Sequence, residues 1–195
     1  SVWQIGFMSD FPYILGWLPS LALDFEKHGY DYNAIREGIF LSCSEEDRRL
    51  IEWLETGFDD SQIGEDFYRT SSRCRNRFIR EYFAYDRNLR TEKVAFLARE
   101  ATDLDFDEKD ALRKAFAMTN IIEREKAVDS ITWAKIDEIV ALDSLNVNLV
   151  LAFLAKFHLI SRWNRLDSKT GAELFAKFVE EINDTYNRNK TSQEI

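Results

Sequence analysis

Residues 147–166, VNLVLAFLAKFHLISRWNRL, are the most hydrophobic helical stretch of this chain. Lys156 is the only charged residue between Leu149 and Ile160. A helix that is apolar almost all the way round normally lies at the centre of a core. Its longest apolar run, 149–155, has seven residues, whereas a membrane span needs about 20. We therefore predict a central core helix in a protein with no direct membrane span.

The composition of the rest of the chain favours an all-α protein. Seven Gly and two Pro are few turn-forming residues for a chain of 195, and an all-β fold needs many. With 45% hydrophobic residues, including fifteen Phe, the chain can bury a large core. We predict a multi-helix bundle that forms a single helical domain over residues 11–186, with a division into subdomains 11–68 and 69–186 as the alternative. Residues 1–10 are expected to be disordered or foreign to the natural chain, and residues 187–195 to form a polar tail.

A second stretch, residues 69–99, RTSSRCRNRFIREYFAYDRNLRTEKVAFLAR, has a charge opposite to that of the whole chain. Its nine Arg and Lys residues outnumber three acids, so its formal charge is +6, while the whole chain carries −9. We predict one long helix from about residue 72 to about residue 100. At about 100° per residue, one side of this helix carries an aromatic stripe that we expect to be buried. The stripe consists of Phe78, Tyr82, Tyr85, Leu89 and Phe96.

The opposite side of this helix begins with arginines, among them Arg69, and ends with the small residues Ala84, Thr91, Ala95 and Ala98. Three interpretations are open: the arginines pair with the protein's own carboxylates, dock an acidic protein partner, or contact nucleic acid. The third is disfavoured, because aromatic residues that could stack on bases lie on the other side. We expect no nucleic-acid partner. The candidate docking residues are Arg73, Arg77, Arg80, Arg87 and Arg90.

Shorter elements are expected around these two stretches. Residues 11–23 are interrupted by Pro12 and Pro19, which favours a short extended N-terminal segment. Ser44 has a capping-box relation to the residue three positions later, and Gly57 follows as a helix-ending residue. The predicted helices cover residues 32–41, 44–57, 61–68, 109–118, 121–128, 132–142 and 170–186.

The acidic joint ahead of residue 109 has the beginning of a calcium-binding pattern. Asp103, Asp105 and Asp107 occupy the first ligand positions of an EF-hand loop. The pattern then fails, because Glu108 stands where the loop requires Gly and Lys114 where it requires a bidentate Glu. We expect an acidic linker that favours the start of the next helix.

No other pattern predicts a reaction or a bound ligand. The two histidines, His28 and His158, lack metal-ligand spacing, and His158 is expected to be a hydrogen-bonded packing residue. The two cysteines are expected to be reduced. Phosphate-binding glycine motifs are absent from the sequence. We therefore predict no catalytic residue, no cofactor, no metal and no small-molecule substrate.

Four segments carry a family resemblance. They are YILGWLPSL at residues 13–21, FAYDRNLR at 83–90, VLAFLAKFHLISRW at 150–163 and LDSKTGAELF at 166–175. They resemble a bacterial family of unknown function whose genes lie among those of a V-type ATPase. None of the four is a catalytic signature.

That family in turn is similar to a shortened C (also called d) subunit of the V-type ATPase, a helical funnel between the membrane rotor ring and the central stalk. Helices of that subunit repeatedly contain an acid followed by Asn-Leu and a basic residue. The same pattern is present here in Asp86, Asn88, Leu89 and Arg90. This chain is much shorter than a C subunit, which has three helical modules, so a complete funnel is not implied.

The resemblance implies a non-catalytic, cytoplasmic coupler that lies at the inner face of the membrane through the ATPase complex. Its partners would be other ATPase subunits, namely the rotor ring and the central stalk. The alternative is a stand-alone helical adaptor or regulatory protein that binds an acidic protein partner.

Overall fold

The computed structural model describes residues 8–26 and 28–165. Within these two ranges the chain forms eight helices and no strand. In chain order the helices are α1 (Phe11–Trp17), α2 (Tyr32–Ser42), α3 (Glu45–Thr56), α4 (Glu65–Ser71), α5 (Arg77–Ala98), α6 (Lys109–Phe116), α7 (Ile121–Val140) and α8 (Val147–Arg165). The predicted all-α, multi-helix fold class is confirmed.

Helix α8 is the centre of the bundle, as its sequence predicts. It packs against α1, α2, α3, α5 and α7. Val150, Leu151, Leu154 and Ala155 have no exposed surface. Burial of a large aliphatic side chain stabilises a fold by about 1.5–3 kcal/mol. The hydrophobic surface of this one helix therefore holds five others in place.

Helix α5 is the second element that many others share. It packs against α3, α4, α6, α7 and α8. Phe78, Tyr82 and Tyr85 of the predicted aromatic stripe are buried. On the other side, Ala84 is exposed as expected, but Ala95 is buried. The prediction of a buried stripe is therefore confirmed for these three residues, whereas Leu89 and Phe96 are half-buried. The small-residue face is partly covered.

Helix α5 begins at Arg77, so the prediction of a start near residue 72 is wrong. The side chain of Asn76 accepts a hydrogen bond from the backbone N–H of Ile79 at 2.9 Å and caps the helix. Its own backbone is extended, with φ −70° and ψ 127°. Arg69 consequently lies in α4, and Arg73 lies in the connection between the two helices.

Helix α7 is continuous over residues 121–140, where the sequence predicts two helices. Asp129 lies at the predicted break and is buried. From α8, Arg162 donates to both of its carboxylate oxygens at 2.5 Å, and the indole N–H of Trp163 donates at 2.6 Å. Burial raises the pKa of the Asp129 carboxyl, while these donors act to lower it. The polar residue is accommodated inside the helix because α8 supplies its partners.

The N-terminal segment starts with a short helix, α1. Asp10 caps it by accepting a hydrogen bond from the N–H of Tyr13 at 3.0 Å. Pro12 lies in the first turn, where its missing N–H breaks no helical hydrogen bond. The extended backbone that the sequence predicts for residues 11–23 therefore begins only at Leu18, with φ −66° and ψ 138°.

Most other helices lie where the sequence places them. Ser44 caps α3, since its hydroxyl oxygen accepts from the N–H of Asp47 at 3.2 Å, as the capping-box spacing predicts. Helix α4 covers residues 65–71 instead of 61–68. Three predictions concern residues outside the described ranges: the nature of residues 1–7, the helix over 170–186 and the polar tail 187–195.

Within residues 8–26 and 28–165, no helix combines the length and the apolar character that crossing a bilayer requires. In the same ranges, no three His, Cys, Asp or Glu side chains are grouped so that they could hold a metal ion.

Gly57 allows α3 to approach α5 closely. Its backbone is right-handed, with φ −69° and ψ −9°, which any residue can adopt. Glycine is therefore needed here because it has no side chain and not because of its backbone conformation. A Cβ atom at this position would lie 2.2 Å from Cε1 of Phe83 and 2.3 Å from Cζ. The Phe83 ring is 1% exposed and packs edge-on against Phe67, with ring centroids 4.7 Å apart. The ring has no open space into which it could move.

His158 of α8 is a packing residue. Its imidazole stacks on Phe58, with ring centroids 4.0 Å and planes 11° apart. Among the described residues the imidazole has this aromatic contact and no hydrogen bond, so the predicted packing role is seen there and the predicted hydrogen bond is not. Burial, together with the positive charges of Arg165 and Arg162, lowers the pKa of His158 to about 4. The ring is therefore neutral at pH 7.

We predict that Gly57→Ala lowers the free energy of unfolding by about 1–3 kcal/mol, because the new methyl group overlaps the Phe83 ring. Urea unfolding followed by circular dichroism measures the change. Gly16→Ala is the matched control, since a Cβ in α1 meets no atom within 4 Å. That control should be neutral or slightly stabilising. Equal stabilities for the two variants would contradict the close approach of α3 to α5.

We predict that acid destabilises the fold through His158. An unfolded histidine binds a proton near pH 6.5, whereas the folded one does so only near pH 4. The contribution of neutral His158 to the free energy of unfolding is therefore complete above pH 6.5. It is lost as the pH falls towards 4, and the loss reaches about 3 kcal/mol. Unfolding curves between pH 7 and 4 should show a smaller loss for His158→Gln than for the wild type. The control His28→Gln retains His158 and should show the full loss; identical profiles for both variants would refute this origin of the loss.

Candidate docking surface

The five candidate docking arginines lie along α5 as far as Arg90 and in the connection before the helix. Arg73 belongs to that connection, residues 72–76, and the other four belong to α5. The aromatic stripe of α5 faces the core, which leaves the arginines at the surface of the bundle. The two surviving interpretations, internal pairing and docking, are distinguished by the partner of each guanidinium group.

Arg90 is part of an internal network. Its Nε donates to Asp86 at 2.9 Å, and its Nη1 lies 2.8 Å from a carboxylate oxygen of Asp60. The hydroxyl of Tyr68 in α4 donates to the same Asp86 carboxylate at 2.6 Å. Burial raises the pKa of Tyr68, and its bond to Asp86 raises it further. Asp86 therefore connects α5 to α4, and Arg90 connects α5 to the loop between α3 and α4.

Arg77 and Arg87 also pair with acids of this chain. Arg77 donates to Asp143, in the loop between α7 and α8, at 2.5 Å and lies 3.4 Å from Glu81. Arg87 donates to Glu65 of α4 at 2.8 Å, and both of these side chains are more than half exposed. An exposed pair of this kind contributes only about 0–1 kcal/mol. Three of the five predicted docking residues thus have an intramolecular partner.

Arg80 and Arg73 keep their positive charges uncompensated within the described ranges. Arg80 donates through Nη1 to the backbone carbonyls of Cys74 at 2.8 Å and of Arg75 at 3.2 Å. A carbonyl oxygen is neutral, so these bonds fix the guanidinium without cancelling its charge. Arg73 is exposed, and its side chain forms no ion pair with any described residue.

The positive charge is concentrated at the start of α5. Residues 72–81 contain four Arg and one Glu. With Asp143, which pairs with Arg77, the local sum is four minus two, or +2, in a chain of net charge −9. Arg75, which was not among the candidates, is exposed in the same connection. The predicted helix from residue 72 places Arg75, three residues before Phe78, near the side of the aromatic stripe. For this reason helical phasing did not select Arg75 as a surface candidate.

The second half of α5 carries a different arrangement. Glu92 is completely buried and accepts hydrogen bonds from the hydroxyl of Thr102 at 2.5 Å and from the guanidinium of Arg113 in α6. Burial raises the pKa of this carboxyl, but the two donors outweigh burial and hold it below the usual value. The Glu92–Arg113 contact attaches α6 to α5 and offers no docking charge.

We predict that two of the candidate arginines contribute unequally to stability. Arg90→Gln should lower the free energy of unfolding by about 1 kcal/mol, because Asp86 loses a charged donor while Tyr68 remains bound to it. Arg73→Gln should change it by less than about 0.5 kcal/mol, since its side chain contributes no internal pair. Urea unfolding measures both. A larger cost at Arg73 than at Arg90 would refute the assignment of Arg90 to an internal network.

Comparison with known proteins adds one match. A family model described as "Protein of unknown function (DUF2764)" matches residues 104–186, which is fewer than half of the 195 residues. The matched range contains α6, α7 and α8 and continues beyond the described residues. No curated protein matches the chain significantly. No solved structure does either. The resemblance to a family of unknown function is thereby confirmed over residues 104–186, and the match carries no link to a V-type ATPase.

Proposed function

We propose that this chain is a non-catalytic subunit of a V-type ATPase and acts as a C (d)-like coupler between the membrane rotor ring and the central stalk. The observation that carries the proposal is a group of arginines at the start of α5 that no acid within residues 8–26 and 28–165 neutralises, on a protein of net charge −9. Such a local reversal of charge is typical of a surface that binds an acidic partner. The proposal places the protein at the inner face of the membrane through its partners.

The internal structure of the bundle suits a part that transmits torque. Helices α5 and α8 both contact α3 and α7, and they contact each other. The aromatic rings of Phe78 and Tyr82 stack 5.5 Å apart, and Tyr82 meets Phe83 edge-on at 5.2 Å. Close-packed cores resist deformation, so force applied at one end of the bundle would reach the other.

A stand-alone helical adaptor is the second candidate function. The same arginines favour it, because their charge requires only an acidic partner and not a particular machine. The two functions differ in the identity of that partner. A coupler is found with ATPase subunits, whereas an adaptor is found with an unrelated acidic protein.

Co-purification tests the proposal. The tagged full-length chain, expressed in its native host, should retain stalk and ring subunits of the V-type ATPase when membranes are solubilised in mild detergent. Mass spectrometry identifies the retained proteins. A tagged cytoplasmic protein of similar net charge serves as the control for non-specific retention. Recovery of an unrelated protein without ATPase subunits would favour the adaptor and contradict the coupler.

A functional measurement complements the co-purification. Membranes from cells that lack this chain should hydrolyse ATP through the V-type ATPase but translocate fewer ions for each ATP, because a coupler transmits rotation without performing the chemistry. Adding back the purified chain should restore the ratio. An unchanged ratio of translocation to hydrolysis would contradict a coupling role.

A further inference from the structure

Two leucines protrude from the loop that joins α7 to α8, residues 141–146. Leu142 is 97% exposed and Leu145 is 56% exposed. Leu145 also has a φ of 44°, in the left-handed region that residues with a side chain rarely adopt. Holding a leucine there costs about 1–3 kcal/mol, and such strain is found most often at functional positions. The fold therefore retains an exposed apolar side chain in an unfavourable conformation.

Hydrogen bonds hold this loop against the start of α5. Asp143 accepts from Asn146 at 2.8 Å and from Arg77 at 2.5 Å. Asn148, at the start of α8, accepts from the amide of Asn76 at 2.8 Å and donates to Asp143 at 3.2 Å. The loop and the connection before α5 therefore form one end of the bundle.

The basic end of the bundle, as we call it, combines exposed apolar and positively charged groups. It consists of the connection 72–76, Arg80 and the loop 141–146. Arg73 and Arg75 are exposed, and Arg80 keeps its charge because its partners are backbone carbonyls. Asp143 is occupied by Arg77 and two asparagines, and the neighbouring acid Glu81 lies 3.4 Å from Arg77. Protein interfaces commonly have an apolar core and a polar rim, and arginine is enriched in them.

We propose that the basic end docks an acidic protein surface, with Leu142 and Leu145 inserted into an apolar cleft of the partner and Arg73 and Arg75 facing its carboxylates. This inference rests on the proposed function and names the site and the chemistry of the partner. The positive charge of the basic end favours a partner with a negatively charged surface. The leucines select a protein over nucleic acid, because aliphatic side chains do not stack on bases as aromatic ones do. The three arginines of the basic end, Arg73, Arg75 and Arg80, are fewer than the roughly four to eight basic residues typical of segments that bind an anionic membrane.

Two pairs of substitutions test the site in the full-length chain. The first, Leu142→Ser with Leu145→Gly, removes the apolar side chains, and glycine accepts the φ of 44° without strain. The second, Arg73→Glu with Arg75→Glu, reverses the charge. The matched control, Leu97→Ser with Lys114→Glu, makes the same kinds of change at exposed residues towards the other end of α5.

Binding to detergent-solubilised, immobilised V-type ATPase from the same cells provides the measurement. We expect each site pair to weaken binding at least tenfold and the control to change it less than twofold. Binding by the wild type should also weaken as salt is raised from 50 to 300 mM, because the arginine contacts are screened. Thermal unfolding of the leucine pair should occur at or above the wild-type temperature, which separates lost docking from lost folding.

The outcomes separate this inference from the function on which it rests. Wild-type binding that the site pairs leave unchanged would overturn the inference and leave the coupler proposal standing. A wild-type chain that does not bind the ATPase at all would overturn both. Tighter wild-type binding to single-stranded RNA or to phosphatidylserine vesicles than to the ATPase, lost in the Arg73→Glu/Arg75→Glu pair, would assign the basic end to another class of partner and overturn the inference.

Discussion

The burial of helix α8 is the constraint on which the rest of this structure depends. Its apolar surface extends around the helix, so neighbours are needed on several sides, and α1, α2, α3, α5 and α7 supply them. The elements before α5 and those after it therefore share one core. The short helix α1 could not bury its single core residue, Ile14, without this common partner. Most of the stability of such short helices comes from packing and not from helix propensity.

Polar contacts fix α8 along its length. Near its C-terminal end, Asp129 of α7 binds Arg162 and Trp163. At its N-terminal end, Asn148 binds Asn76 and Asp143. Hydrophobic burial is not directional, whereas a buried charge or amide is costly unless it meets its partner. The hydrophobic contacts thus supply the energy, and these polar contacts determine how α5 and α7 are aligned on α8.

The distribution of charge follows from the same packing. Helix α5 lies against α4, whose Glu65 pairs with Arg87, and against the loop that carries Asp143. Most of the excess positive charge of residues 69–99 is paired with acids of the same protein. Internal pairing is therefore a larger effect than docking for these arginines. Among the described residues, Arg73, Arg75 and Arg80 near the start of α5 form no ion pair, and they lie at the end of the bundle that also carries Leu142 and Leu145. The proposed docking surface is therefore one end of the bundle and not the whole face of α5.

The sequence by itself determined the helical class, the central position of α8, the buried aromatic side of α5 and the Ser44 cap, because each depends on composition or on spacing within a few turns. The tertiary structure decided the rest. Asp129 lies buried within a continuous α7 and binds Arg162 of another helix. Arg77 is paired internally because Asp143, 66 residues away in sequence, lies beside it in the fold. Periodicity reports which side of a helix is apolar, but it carries no information about which distant acid a surface arginine will meet. For the same reason the exposure of Leu142 and Leu145, and with it the candidate docking end, became visible only in three dimensions.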